Sequence, residues 1–397
     1  MVSNPATRLL LEQQLVNIEQ AIIGKEYLLQ NASLESGLPG LSLFYYYLGL
    51  YKSENSYSQK AYEYMEQGIA LLNPANFKRI YATDTIDNHI SNIGKLLEFV
   101  NKSNFIELDA NDYLVDLDSV LHKLMLSKIS ISDFDFNSGA LAAGYYYINR
   151  IGHDHSVKSN LKILVEGIND KALVDSDGDY YWKSPSLYGR VYIGLSHGSA
   201  MIISFLCNVY NKGVEKELCI YVIKKAVNFV LKQQRSEYNG LFPIYVGDKI
   251  EAKQFSLCYG DLGVGYALYR AAIAIGGEDI TEKSLNILNN CLNRRYEDKL
   301  TLDASITYGV SGLAILFEEI FDLSSNTIFK DRAAYWYSKI PCYSIHDNDF
   351  AGFKTRLFDA SPIWNINFGW GIIGIGIAIM RALKSELPPF SDLLITA

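Results

Sequence analysis

The stretch GVSGLAILFEEI, residues 309–320, opens on a glycine, meets a second glycine three residues later and continues as an apolar run of helical character. The same phrase recurs as GLPGLSLFYYYL from Gly37, GALAAGYYYI from Gly139, GSAMIISFL from Gly198, GDLGVGYALYRA from Gly260 and GIIGIGIAIM from Gly371. A degenerate copy, SNIGKLLEFV from Ser91, makes seven. Successive copies stand about fifty to sixty residues apart, the length of two helices and their connections. Glycine inside a helix costs about 1 kcal/mol against alanine. Its repeated use at a helix start therefore points to close helix–helix approach and to exposed backbone N–H groups. Between copies lie segments such as VEKELCIYVIKKAVNFVLKQQ, residues 214–234, with the broad polar face of an outer helix. The expected fold is all-α: an α/α toroid of seven helical hairpins, whose inner helices wall a central cavity. The even spacing leaves no room for an inserted domain, so residues 1–397 are expected to form one domain.

Two interruptions read as short β-hairpin loops, each with an Asp-Gly or Asn-Gly turn beside aromatic residues. They are DSDGDYYWK from Asp175 and EYNGLFPIYV from Glu237. The first has a passing likeness to a calcium loop. Its glycine is misplaced, however, and Ser186 stands where a bidentate Glu would close the site.

Composition narrows the function. The chain carries 44 acidic and 36 basic residues, a formal charge of -8, with neither sign gathered into a run. No basic stripe offers itself to nucleic acid. The N-terminal segment is a surface helix by periodicity and lacks the layout of a signal peptide. The most apolar run, Ile372 to Met380, is too short for a bilayer. Cys207, Cys219, Cys258, Cys291 and Cys342 are odd in number and scattered, with no CxxC pair, so a reducing cytoplasm is expected. The abundance of Ile, Asn, Lys and Tyr suggests a bacterial source.

The residues just before each repeat's first position are Ser36, Ile90, Ser138, His197, Tyr259, Tyr308 and Trp370. In a toroid they ring the cavity mouth at the inner-helix N-termini, where an anion such as a thiolate or enolate is favoured. His197 alone among them titrates near neutrality.

YIGLSHGSA (Tyr192 to Ala200), SLCYGDLGVGYAL (Ser256 to Leu268) and TYGVSGLAIL (Thr307 to Leu316) resemble three landmark segments of the lanthionine synthetase C-like cyclases. In that family they read GLSHG, WCYGxxG and CHGxxG, and the likeness runs the length of the chain through the glycine repeat. It implies an α/α toroid that adds peptide Cys thiols across dehydroalanine or dehydrobutyrine, giving (methyl)lanthionine thioethers in a precursor peptide. The implied partners are a dehydrated precursor peptide and a lanthipeptide dehydratase. By the same resemblance His197 handles the proton, Asp135 in DFNSG orients or charge-balances it, and Tyr259 joins them as the third catalytic residue. The family's first zinc cysteine falls on Cys258, its Cys-His pair on Thr307 and Tyr308, its arginine on Gln254 and its tryptophan on Leu257. Gln254, Cys258, Thr307, Tyr308 and Trp370 are thus expected to contact substrate.

The departures bear on the metal. A catalytic zinc takes three protein ligands, usually His, Cys or carboxylate, and keeps a fourth position open. Of the family's three ligands only Cys258 stands, since a threonine hydroxyl is a poor ligand and a phenol must ionise first. No cofactor is therefore expected. A free thiol has a pKa near 8.5, so a few per cent is thiolate at pH 7. His197 would take the thiol proton and return it to the enolate carbon.

Each residue also has a plain structural reading. His197 suits a hydrogen-bonded core histidine, Asp135 a helix cap, Cys258 a buried apolar side chain, and Tyr308 and Trp370 packing. GHDHS, with His153 and His155, reads as a solvated loop. Two further functions compete with the cyclase. One is a non-catalytic scaffold binding the modified peptide or a dehydratase. The other is a toroid glycosidase or terpene cyclase, which needs paired carboxylates or an aspartate-rich cluster at the mouth.

Overall fold

Six helices begin at the glycines picked out in the sequence. The computed structural model describes residues 2–396 apart from 74, 76, 82, 103–110, 236–240, 250–253 and 357–360, and the side chains of 111 and 112. Seven inner helices succeed one another as α2 (Leu38–Lys52), α4 (Ile86–Lys102), α6 (Ala140–Arg150), α8 (Ser199–Asn211), α10 (Asp261–Ile275), α12 (Val310–Ser324) and α15 (Ile372–Leu383). Each touches the next, and α15 returns to α2, which closes the ring. Seven outer helices back them: α1 (Pro5–Ile23), α3 (Asn55–Ala70), α5 (Asn111–Ser130), α7 (Lys158–Asp170), α9 (Lys216–Lys232), α11 (Glu278–Cys291) and α13 (Thr327–Lys339). The N-terminal helix α1 packs on α15, so the first outer helix backs the last inner one. The short α14 (Pro362–Ile366) leads into α15.

The glycines do more than bring helices together. A Cβ on Gly139, Gly198, Gly309 or Gly371 would collide with the backbone of the loop just before it, because that loop folds back over the helix start. The second glycine lies under the same folded-back loop, against Ile306 O for Gly312 and Phe368 O for Gly374, and also faces the neighbouring repeat. A Cβ on Gly312 would meet Leu257 at 3.0 Å, and one on Gly374 would meet Ile306 at 2.8 Å. The degenerate copy departs from this plan. Helix α4 starts five residues before Ser91, capped where the Asn88 N–H donates to Thr85 Oγ1 at 3.2 Å. Ile90 is therefore inside a helix and not at an N-terminus, which leaves six such positions at the mouth.

Strands β1 (Leu173–Val174) and β2 (Tyr180–Tyr181) form the hairpin expected around Asp175–Gly178. Lys232 reaches into it, 3.1 Å from Asp175, 2.5 Å from Asp177 and 2.6 Å from Asp179, so an ammonium occupies the cluster of carboxylates. Of the second expected hairpin, residues 237–240 lie outside the described residues. The segment beyond them pairs with another part of the chain: Tyr245 bridges Tyr192, and Ile193 N–H donates to Ile244 O at 3.1 Å. His155 opens a 3-10 turn, His155–Val157, and His153 two residues earlier has its Nε2 3.4 Å from Glu98. The five cysteines are unpaired. Among the described residues no helix is long and apolar enough to cross a membrane.

The chain's last residues turn back into the bore. Tyr47 donates to Pro388 O at 2.6 Å, Asn149 to Asp392 O at 3.0 Å and Tyr266 to Thr396 O at 2.8 Å. Three inner helices, α2, α6 and α10, thus hold the tail by its backbone carbonyls.

Candidate active site

Two loops that fold back over helix starts meet at the cavity. In DFNSG, Asp135 Oδ1 accepts from the N–H groups of Asn137 (2.8 Å) and Ser138 (3.0 Å), so the turn before α6 is wound around this carboxylate. In GLSHG, Ser199 N–H donates to Tyr192 O at 3.1 Å, and Ser184 Oγ donates to the His197 carbonyl at 2.9 Å, fixing the loop before α8. Across the gap His197 Nδ1 lies 2.6 Å from Asp135 Oδ2. The aspartate side chain is fully buried and the histidine is 10% exposed.

Burial alone would raise the Asp135 pKa, but the charge of His197 and the hydrogen bonds from His197, Ser138 and Asn137 hold it below the ordinary aspartate value. An ionised carboxylate only accepts hydrogen bonds, so Nδ1 carries the proton and Nε2 is the nitrogen left for chemistry. That tautomer is assigned from the hydrogen-bond network. Asp135 is therefore fastened to the loop before α6 as well as to His197; it is not the cap of that helix, whose N-cap is Gly139 with no side-chain hydrogen bond.

His197 lines a cavity of about 250 Å³ at the centre of the ring. Cys258, Tyr259, Thr307, Tyr308 and Trp370 line it too. The Tyr259 ring is 6.3 Å from the His197 ring and stacks on Tyr308 at 6.0 Å. Burial pushes both phenols far above their ordinary pKa, so both stay protonated donors at neutral pH. Gln254 does not line the cavity. Its backbone carbonyl lies under the turn at Gly260, 2.6 Å from where a Cβ would stand, and its side-chain oxygen is buried without a hydrogen-bond partner.

The residues at the expected metal position do not suit zinc. Burial pushes the Cys258 thiol up to about 12, although its hydrogen bond with Ser196 lowers it somewhat. Thr307 spends its hydroxyl on Gly369 O at 2.7 Å, and Tyr308 resists ionisation. Among the described residues no three His, Cys, Asp or Glu side chains gather closely enough to hold a metal ion.

Sequence reasoning looked one residue before each repeat and missed the position before that. Glu35, Asn137, Ser196, Cys258, Thr307 and Gly369 share that offset, and all six line the cavity. The offset shared by Cys258 and Thr307 was the signal that could have found Glu35. Tyr81, Phe136, Phe368 and the tail residues Leu393, Leu394 and Ile395 also line it; the tail comes from too far along the chain for any local pattern to reveal it. A second histidine–aspartate pair, His89 Nε2 to Asp84 Oδ1 at 2.7 Å, is buried beside α4 and does not reach the cavity.

With this geometry in view, comparison with known proteins is decisive on kinship. The family described as lanthionine synthetase C-like protein matches residues 29–395. The chain belongs to that family. Among solved structures it is similar to nisin cyclase, with a TM-score of 0.73 and 16% identity over 96% of both chains, a likeness of fold. A weaker likeness is to cellobiose 2-epimerase from Bacillus thermoamylovorans B4167, with a TM-score of 0.42 and 10% identity over 74% of this chain and 87% of the other. No curated protein sequence matches.

Proposed function

We propose that this protein is a lanthipeptide cyclase that adds peptide Cys thiols to dehydroalanine or dehydrobutyrine and works without zinc. The observation that carries the reading is the His197–Asp135 pair opening on the central cavity. Nε2 of His197 accepts the thiol proton as sulfur bonds to the alkene β-carbon. The alkene electrons move onto the α-carbon and its carbonyl as an enolate. The same Nε2–H then returns the proton to the α-carbon, so the histidine ends as it began. Asp135 stabilises the imidazolium between the two steps. Tyr259, kept neutral by burial, donates to the enolate oxygen. Positioned proton transfer of this kind typically contributes about 10²–10⁴-fold. Holding thiol and alkene together in the cavity adds to it.

The family supplies the peptide as substrate class and, with it, a dehydratase as the source of the dehydro residues. Incubation with a dehydrated Cys-containing peptide, then thiol alkylation and mass spectrometry, tests the reading. Loss of free thiol well above a protein-free control is expected. No loss over that control would favour the scaffold reading, to which the same poor metal donors lend support.

A further inference from the structure

The cavity has further polar groups that the reaction above does not use. Glu35 is one of them, its carboxylate accepting from Ser33 Oγ at 3.1 Å and from Asn92 Nδ2 at 3.1 Å. Both are neutral donors, and among the described residues no cation lies within ion-pairing distance of it. Lys95 on α4 feels its charge, but the Lys95 ammonium sits over the Phe136 ring at 5.0 Å and does not line the cavity. Beside Glu35 stands Tyr81, edge-on to Trp370 at 5.2 Å. The Tyr81 hydroxyl is buried and has no hydrogen-bond partner, and the Glu35 charge reinforces burial in keeping it protonated. Gly369 borders the same corner, between Glu35 and Thr307.

Those groups select for one kind of guest. A carboxylate and an unused hydroxyl supply acceptors, and aromatic rings supply faces that attract cations. An anion would be repelled by Glu35. An apolar group would leave the buried Tyr81 hydroxyl without a partner. We propose that the corner formed by Glu35, Tyr81 and Trp370 binds an ammonium group of the peptide substrate. An ammonium has three donors and no acceptor, which complements this corner. In a peptide it comes from a lysine side chain or from the N-terminal amine. The inference rests on the peptide reading above for its ligand and adds a requirement on that peptide's charge.

The test uses a non-reactive synthetic peptide, Ala-Gly-Lys-Gly-Ser-Ala, in four forms: lysine free or acetylated, crossed with N-terminus free or acetylated. Binding is read by calorimetry and by tryptophan fluorescence, since Trp370 lines the corner. Acetylating one of the two amines is expected to weaken binding at least tenfold, and the form affected identifies the source. Glu35→Gln is expected to bind charged and acetylated peptides alike, while Tyr81→Phe keeps a reduced preference. Equal binding of all four forms by the unaltered protein would overturn the proposal, as would a preference that survives in Glu35→Gln. No binding of any form at millimolar peptide would overturn it too. Thioether formation is scored separately on a dehydrated peptide, so failure of the cyclase reading leaves the charge preference standing or falling by itself.

Discussion

Among the described residues the ring holds two histidine–aspartate pairs of nearly equal length, 2.6 Å at His197–Asp135 and 2.7 Å at His89–Asp84, with different surroundings. His89 and Asp84 are sealed, with side chains 3% and 0% exposed, and the histidine uses Nε2 for the bond. Asp84 also takes the Ile80 N–H at 2.9 Å, so the pair fastens the loop before α4 to the helix. His197 uses Nδ1, which leaves Nε2 on the cavity side, and its aspartate is fastened to the loop before α6. A histidine–aspartate pair is thus no mark of catalysis. Which nitrogen the carboxylate takes, and whether the other meets open space, separates the fastener at His89 from the proton-transfer group we propose at His197.

The comparison breaks most visibly if its two histidines are swapped in role. His197→Ala should lower thioether formation by about 10²–10⁴-fold, with thermal stability changed little, as read by mass spectrometry and a melting curve. His89→Ala should do the reverse. It strands the buried Asp84 charge and should cost roughly 3–5 kcal/mol in urea unfolding, while the folded fraction keeps its rate.

A buried lysine extends the contrast to pH. Lys95 takes a place where the other inner helices carry Leu41, Ala143, Ile202, Val264, Leu313 and Ile375, and burial lowers its pKa to about 8. Between that value and about 10.4 the unfolded chain binds more protons than the folded one, so stability rises with pH. Urea unfolding of the unaltered protein should gain roughly 3 kcal/mol between about pH 7 and pH 10.5 relative to Lys95→Met. Equal slopes would show that the ammonium is solvated after all.

The smallest effect belongs to the wall facing the dyad. Thr307→Val removes the bond to Gly369 O and should cost about 1 kcal/mol of stability, with the thioether rate within threefold. A large loss of rate would return Thr307 to the chemistry.

The fold was legible because its signal is local. Gly139, Gly198, Gly309 and Gly371 sit where the preceding loop leaves no room for a side chain, and that demand repeats around the ring. His197, Tyr259 and Tyr308 were legible from their place beside those glycines. Three things were not. Helix α4 gains extra residues from the Thr85 cap, which a glycine-based register does not see. Glu35 has the offset of Cys258 but belongs to the first repeat, where no motif drew attention to it. Leu393, Leu394 and Ile395 reach the cavity only through the tail's return into the bore, held by bonds such as Tyr266 to Thr396 that span 130 residues. Gln254, expected to contact substrate, is not among the residues that line the cavity.

The central claim is that a histidine–aspartate pair, and not a metal, activates the thiol. Its most direct test is the thioether rate of purified protein before and after exhaustive chelation, with zinc content measured in parallel. Substoichiometric zinc and an unchanged rate are the predicted result. A stoichiometric zinc ion whose removal abolishes the rate, and whose return restores it, would contradict it.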